Sequence, residues 1–212
     1  MKGLLIKELL SLRQYIKIFV GLILFFIILG IASEDISIMG TIVITMPLII
    51  IITSFSYDTA NHWPEFAACF PFTRRHLVFA KYCFALLLVL AITALTELIG
   101  TVYGLIFSQP LDAFTANLAV LFGTSLILLS LIMPLIYKFG VEKSRYLMVI
   151  IVMIPFILIA CFSSMIETSL EKLQTVQIEG SLAFGLGFAL LVLLCFGVSY
   201  QIALKIFKKK DL

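Results

Sequence analysis

The sequence predicts an all-α membrane protein: six transmembrane helices, an N-terminal interfacial helix, and a short helix in the loop after the second span. Three observations predict it. The 212 residues are 62% hydrophobic and only 13% charged, where a soluble domain carries roughly a quarter charged residues. The apolar residues fall into six runs near the length of about 20 that crosses a bilayer. The basic residues, finally, gather in alternate loops.

The first element precedes the first span. Leu5, Leu9, Leu12 and Ile16 recur at helical spacing, with Lys2, Lys7, Arg13 and Lys17 largely off that stripe. This reads as an amphipathic helix over about residues 2–15, lying in the membrane interface; the other reading is a cytosolic extension of the first span. The six runs follow: Ile16–Ala32, Ile36–Ser56, Leu77–Phe107, Phe114–Tyr137, Tyr146–Met165 and Leu182–Phe207. The first is read as a retained helix rather than a signal peptide cleaved near Ala32-Ser33, because its charged leader is long and five further spans follow. The third and sixth are long enough to tilt or protrude. The short polar stretches between the runs leave residues 1–212 as a single membrane domain.

Orientation follows from charge. With a cytosolic N-terminus, all but Lys172 of the 15 basic residues lie inside, as the positive-inside rule requires. Tyr15, Tyr57, Tyr82, Tyr137, Tyr146 and Tyr200 then fall at or near the cytosolic ends of six different helices, where an apolar ring with a wet hydroxyl belongs. The expected location is the cell membrane, multi-pass, with both termini in the cytosol.

The longest cytosolic connection, Tyr57–His76, is patterned. Asn61 can cap a short helix. Pro64 falls in its first turn and Glu65 near its positive dipole end. Trp63, Phe66 and Phe70 recur at i, i+3 and i+7 and form one apolar face. Pro71 stops the helix, and Thr73 can cap the next, which opens with Arg74, Arg75 and His76. Physics alone leaves two readings of this segment, about Asn61–Phe70. It lies flat on headgroups, or it plugs into a groove on a cytosolic partner.

The chain resembles the small permeases of the type-2 ABC exporters. The opening Met1-Lys2-Gly3-Leu4-Leu5-Ile6-Lys7-Glu8-Leu9 looks like theirs. So does the loop: Tyr57-Asp58, then Trp63, then Phe70-Pro71-Phe72-Thr73-Arg74, then Lys81-Tyr82. Two departures are Phe70, where Leu is usual before the proline, and Thr59, where a second acid is common. The most similar subgroup exports amphipathic peptides, as the phenol-soluble modulin exporter does. The resemblance implies two permease subunits, a second copy or a close relative, beside a separate cytosolic ATPase. It further implies a coupling helix in the loop, with Tyr57, Asp58, Asn61, Trp63, Glu65, Phe66, Phe70 and Arg74 as the ATPase-coupling residues. The expected substrate is amphipathic: a peptide first, a lipid or drug otherwise.

The chain carries no phosphate-cradling G-x-x-x-x-G-K-[ST] loop, so ATP and Mg are expected on the partner and no cofactor or enzymatic activity here. Its only histidines are His62 and His76, so no metal site is expected. Nothing points to nucleic acid; membrane lipids are the remaining partner. Cys69, Cys83, Cys161 and Cys195 read as ordinary apolar cysteines. Glu97 lies inside the third span, where a carboxyl is costly and faces protein or water. Thr93, Glu97, Gly100 and Gly104 form a polar, small-residue stripe. It serves helix packing, or the translocation path or dimer seam. Pro47, Pro134 and Pro155 permit kinks in three other spans. A standalone sensor, assembly factor or intramembrane enzyme is the alternative function, the enzyme disfavoured because only Glu97 is clearly embedded.

Overall fold

The computed structural model describes residues 2–32, 37–68, 73–107, 111–144, 146–150, 153 and 181–209. Every regular element among them is helical. An all-helical chain satisfies its own backbone where no water is available. Helix α1 (Lys2–Leu12) passes through a 3₁₀ turn (Arg13–Tyr15) into α2 (Ile16–Ala32). The two helices meet at 70°. Then come α3 (Ser37–Ala60), the short α4 (Trp63–Ala68), the 34-residue α5 (Arg74–Phe107), α6 (Leu111–Phe139) and α7 (Ser181–Lys209). Residues 141–144 and 146–150 are also helical.

Four of these, α3, α5, α6 and α7, are each long and apolar enough to cross a membrane, and the bent pair α1–α2 makes a fifth if taken as one span. The described residues therefore show four or five of the six expected crossings. The expected first crossing is α2, whose 17 residues are at the short limit for a span. The expected fifth, Tyr146–Met165, lies almost wholly outside the described residues, as do Cys161 and Pro155.

The expected stripe of α1 is divided between the bundle and the outside. Leu4, Glu8, Ser11 and Leu12 are buried, whereas Ile6, Leu9 and Leu10 are exposed. The helix rolls this way because Glu8 has charged partners inside the bundle, while lipid outside accepts leucine and isoleucine at no cost. Pro47 and Pro134 sit inside α3 and α6 without ending them.

Helix α6 is central, packed against α3, α5 and α7. The main core joins Leu48, Ile51 and Phe55 of α3 to Val78, Ala85 and Val89 of α5, to Leu129 and Met133 of α6, and to Val192 and Ala203 of α7. A smaller cluster at the other end joins Met39 and Val43 to Tyr103, Phe114 and Leu118. Helices in lipid are held by close packing rather than by expulsion of water, and two glycines supply it. A Cβ at Gly100 would overlap the Phe114 ring, and one at Gly123 would overlap Phe188.

One end of the bundle collects helix α1, the C-terminal ends of α3, α6 and α7, and the N-terminal end of α5. The Tyr137 ring of α6 meets Phe55 of α3 edge-on at 5.2 Å and Phe207 of α7 at 5.5 Å. The functional candidates lie here.

Candidate functional site

Four charged side chains meet beneath α4. Lys7 and Glu8 are neighbours on α1, Asp58 lies near the end of α3, and Lys81 stands two turns into α5. Glu8 Oε1 lies 3.2 Å from Lys7 Nζ, and Glu8 Oε2 lies 2.7 Å from Lys81 Nζ. Asp58 closes the circuit, with Oδ1 on Lys7 and Oδ2 at 2.7 Å from Lys81. Each cation touches both anions, and each carboxylate oxygen has a cation. Ser54 completes the set, accepting from Lys81 at 2.5 Å and donating to Glu8. Lys81 thus spends its three donors on three oxygens.

This quartet is deeply placed. The side chains of Glu8, Asp58 and Lys81 are 5–8% exposed, and that of Lys7 is 18% exposed. Buried ions are tolerable only when paired and hydrogen-bonded, and here two positive and two negative charges sum to zero. Burial alone would push the Glu8 carboxyl up; Lys81 and then Lys7, with hydrogen bonds from Lys81 and Ser54, outweigh it and hold Glu8 below its ordinary value. Aromatic faces close the remaining sides: Phe55 lies 4.7 Å from Lys81 Nζ and Trp63 lies 4.5 Å from Lys7 Nζ. A cavity of about 150 Å³ lies beside the quartet, walled by Phe55, Trp63, Tyr137, Val141 and Phe207 among others.

Trp63 is the first residue of α4. The helix starts there, not at Asn61, because α3 runs on to Ala60 and Asn61 closes it. The Asn61 backbone N–H donates to the Tyr57 carbonyl at 3.1 Å, and its side-chain amide donates to the same oxygen at 2.9 Å. His62 turns the chain with a φ of 49°, and its carbonyl accepts from Phe66 N–H at 3.1 Å. Glu65 in the first turn lies 3.4 Å from the His62 ring. Trp63 and Phe66 share a face, with ring centres 5.8 Å apart. Trp63 is half-buried against Lys7, and Phe66 is 55% exposed.

Beyond α4, Thr73 immediately precedes α5: its carbonyl accepts from His76 at 2.9 Å and Leu77 at 3.4 Å. Arg74 reaches across to the end of α7 and donates to the carbonyls of Phe207 at 3.3 Å and Lys208 at 2.9 Å. A cation there meets the negative end of the helix dipole and two carbonyls that have no partner within α7. Tyr82, one residue after Lys81, donates to Ser199 at 2.7 Å, and Ser199 donates to the Ser130 carbonyl at 2.5 Å, pinning α5, α7 and α6 together.

The family model for ABC-2 family transporter proteins matches residues 3–208. The chain belongs to the ABC-2 transporter family. It is therefore the membrane component of a transporter, of a family that works with an ATPase subunit. No curated protein and no solved structure matches it.

In this ABC-2 chain the expected coupling residues divide. Asp58, Trp63, Glu65 and Phe66 gather at or beside α4; Tyr57 and Asn61 end α3; Arg74 secures α7. Phe70 lies outside the described residues, with Cys69, Pro71 and Phe72. The quartet brings in Lys7, Glu8, Ser54 and Lys81, which sequence reasoning did not name as site residues. Their signal was present: Lys7-Glu8 and Lys81-Tyr82 are parts of the family-like segments, and the charges flank long apolar runs. The Thr93–Gly104 stripe is distant from this site. Gly100 and Gly104 are buried and Glu97 is half-buried; Thr93 turns its hydroxyl back to the Val89 carbonyl at 2.8 Å.

Proposed function

We propose that this ABC-2 chain is the transmembrane subunit of an ATP-driven exporter, with six spans, both termini cytosolic and α4 as its coupling helix. One observation carries the reading. Helix α4 presents Phe66 outward while its Trp63 rests on a cation that is itself bonded to α3 and bridged through Glu8 to α5. A push on α4 from a docked motor therefore meets stiff contacts in three helices. The charge bias of the loops supports a cytosolic position for this end of the bundle. The exposed Ile6, Leu9 and Leu10 of α1 suit an interfacial helix beside it.

ATP and Mg belong to a separate ATPase subunit, because the sequence contains no phosphate-cradling loop. A second permease copy or close relative completes the membrane part. The substrate is amphipathic, a peptide by the likeness to phenol-soluble modulin exporters, in keeping with the apolar composition of the spans. ATP-driven movement of α4 would tilt the helices of one subunit against the other.

The test is co-purification with candidate ATPase subunits, followed by Phe66→Glu. The wild-type chain should retain its ATPase through detergent extraction, and Phe66→Glu should release it while leaving the permease's own melting profile unchanged. A purified assembly in which α4 touches only lipid would overturn the coupling assignment.

A further inference from the structure

The apolar groove between α5 and α7 has no part in the coupling site. Phe79, Cys83 and Leu86 form its α5 wall; Phe196, Gly197 and Tyr200 form its α7 wall, with a volume of about 290 Å³. Tyr82 also lines it, but the Tyr82 hydroxyl is spent on Ser199 in the interior, so the groove meets its ring. The walls are braced by edge-on pairs, Phe79 on Tyr200 at 6.2 Å and Tyr82 on Phe196 at 5.2 Å. A Cβ at Gly197 would find nothing within 4 Å. From Phe79 to Leu86 the slot runs about 10 Å along the helix axis.

The mouth of this slot is fixed and cationic. Arg74 ties the start of α5 to the carbonyls of Phe207 and Lys208, so the two helix ends stay together there. Arg75 stands one turn before Phe79 on the same face of α5. Lys208 stands three turns beyond Gly197 on the same face of α7. Both cations are exposed. Among the described residues neither has a carboxylate partner, whereas each cation of the quartet has two.

We propose that this groove binds an anionic phospholipid, one acyl chain in the slot and the phosphate held by Arg75 and Lys208. The apolar slot requires an apolar occupant in the hydrocarbon layer. The unbalanced cations at its mouth select the headgroup, since clustered Lys and Arg at a membrane surface attract anionic lipid. A zwitterionic lipid fills the slot equally well but leaves the two charges uncompensated.

The test uses the full chain in nanodiscs of phosphatidylcholine and phosphatidylglycerol, with a phosphatidylglycerol whose acyl chain carries a photoactivatable diazirine. Adducts should concentrate on residues 79–86 and 196–200, well above those on the exposed Leu98, Val102, Leu105 and Ile106 of α5. Unlabelled phosphatidylglycerol should compete on the order of 10-fold better than phosphatidylcholine. Gly197→Leu should remove the groove adducts. The surface variant R75Q/K208Q should keep them but equalise the two competitors, which keeps the test alive if Gly197→Leu misfolds. Adducts spread evenly over every lipid-facing helix, or equal competition in the wild type, would overturn the proposal. So would loss of self-association in Gly197→Leu, which would make the groove a contact between copies of the chain, or displacement of the probe by a transported amphiphile.

Discussion

Lys7 Nζ lies 4.5 Å from the centre of the Trp63 indole, so helix α1 and the short helix α4 share a charge-to-face contact. The contact is set by an ammonium already bonded to Glu8 and Asp58, which cannot follow Trp63 without moving its anions. Trp63→Phe keeps a ring and should retain most of the transport per ATP hydrolysed. Trp63→Leu removes a cation–π contact of about 0.5–2 kcal/mol, and should lower transport per ATP more than it lowers ATP turnover. Proteoliposomes reporting both rates distinguish the two.

The quartet is a closed circuit, and its response to substitution should differ from that of two separate ion pairs. Lys81→Met leaves Glu8 and Asp58 each short of a buried cation and should destabilise by about 3–5 kcal/mol. Adding Glu8→Gln removes one charge of each sign and should recover much of that loss. The exchange Glu8→Lys with Lys81→Glu should fail, because it sets Lys7 beside a new cation and Asp58 beside a new anion. Thermal unfolding in detergent, followed by thiol reactivity, reads all three. Tolerance of the exchange would mean that the pairs act independently.

Acid should loosen the same end of the bundle. The folded Glu8 carboxyl sits below its ordinary value of 4.5, so the folded state binds its proton less readily than the unfolded state does. Its contribution is therefore complete above that value and is lost as pH falls from there through the folded pKa. Melting temperature should drop over this acidic window in the wild type, and the drop should be shallower in Glu8→Gln.

Arg74→Ala should fray the end of α7. Losing two donors to its last carbonyls costs about 1–2 kcal/mol, and amide exchange over residues 203–209 should quicken while the α3–α6 core stays protected. Arg74→Lys keeps the charge without the fork and should fall between.

How far these relationships could be read from the chain depends on their range. Helices α3, α5, α6 and α7 were legible because length and apolar composition are local properties. The α4 helix was legible from Pro64, Glu65 and the Trp63–Phe66 spacing. Its start was misplaced because nothing in the Asn61 side chain says which neighbouring helix it will serve; the amide found the Tyr57 carbonyl of α3. Lys81 and Glu8 lie 73 positions apart, and one sequence does not announce such a pairing, so neither is named as a site residue from the sequence. On α1 the expected stripe is split, with Leu9 outward and Leu12 buried; the burial of Glu8 that divides it depends on the distant Lys81, which no local pattern shows.

The phenyl group of Phe114 occupies the notch left by Gly100, and a peg in a socket resists lengthwise travel. Helices α5 and α6 are thereby keyed at the end of the molecule opposite the charges. Any stroke delivered through Lys81 must swing α5 about that key or carry α6 along with it. Sliding is the one movement the pair has given up, which turns the 34-residue α5 into a beam pivoted near its far end.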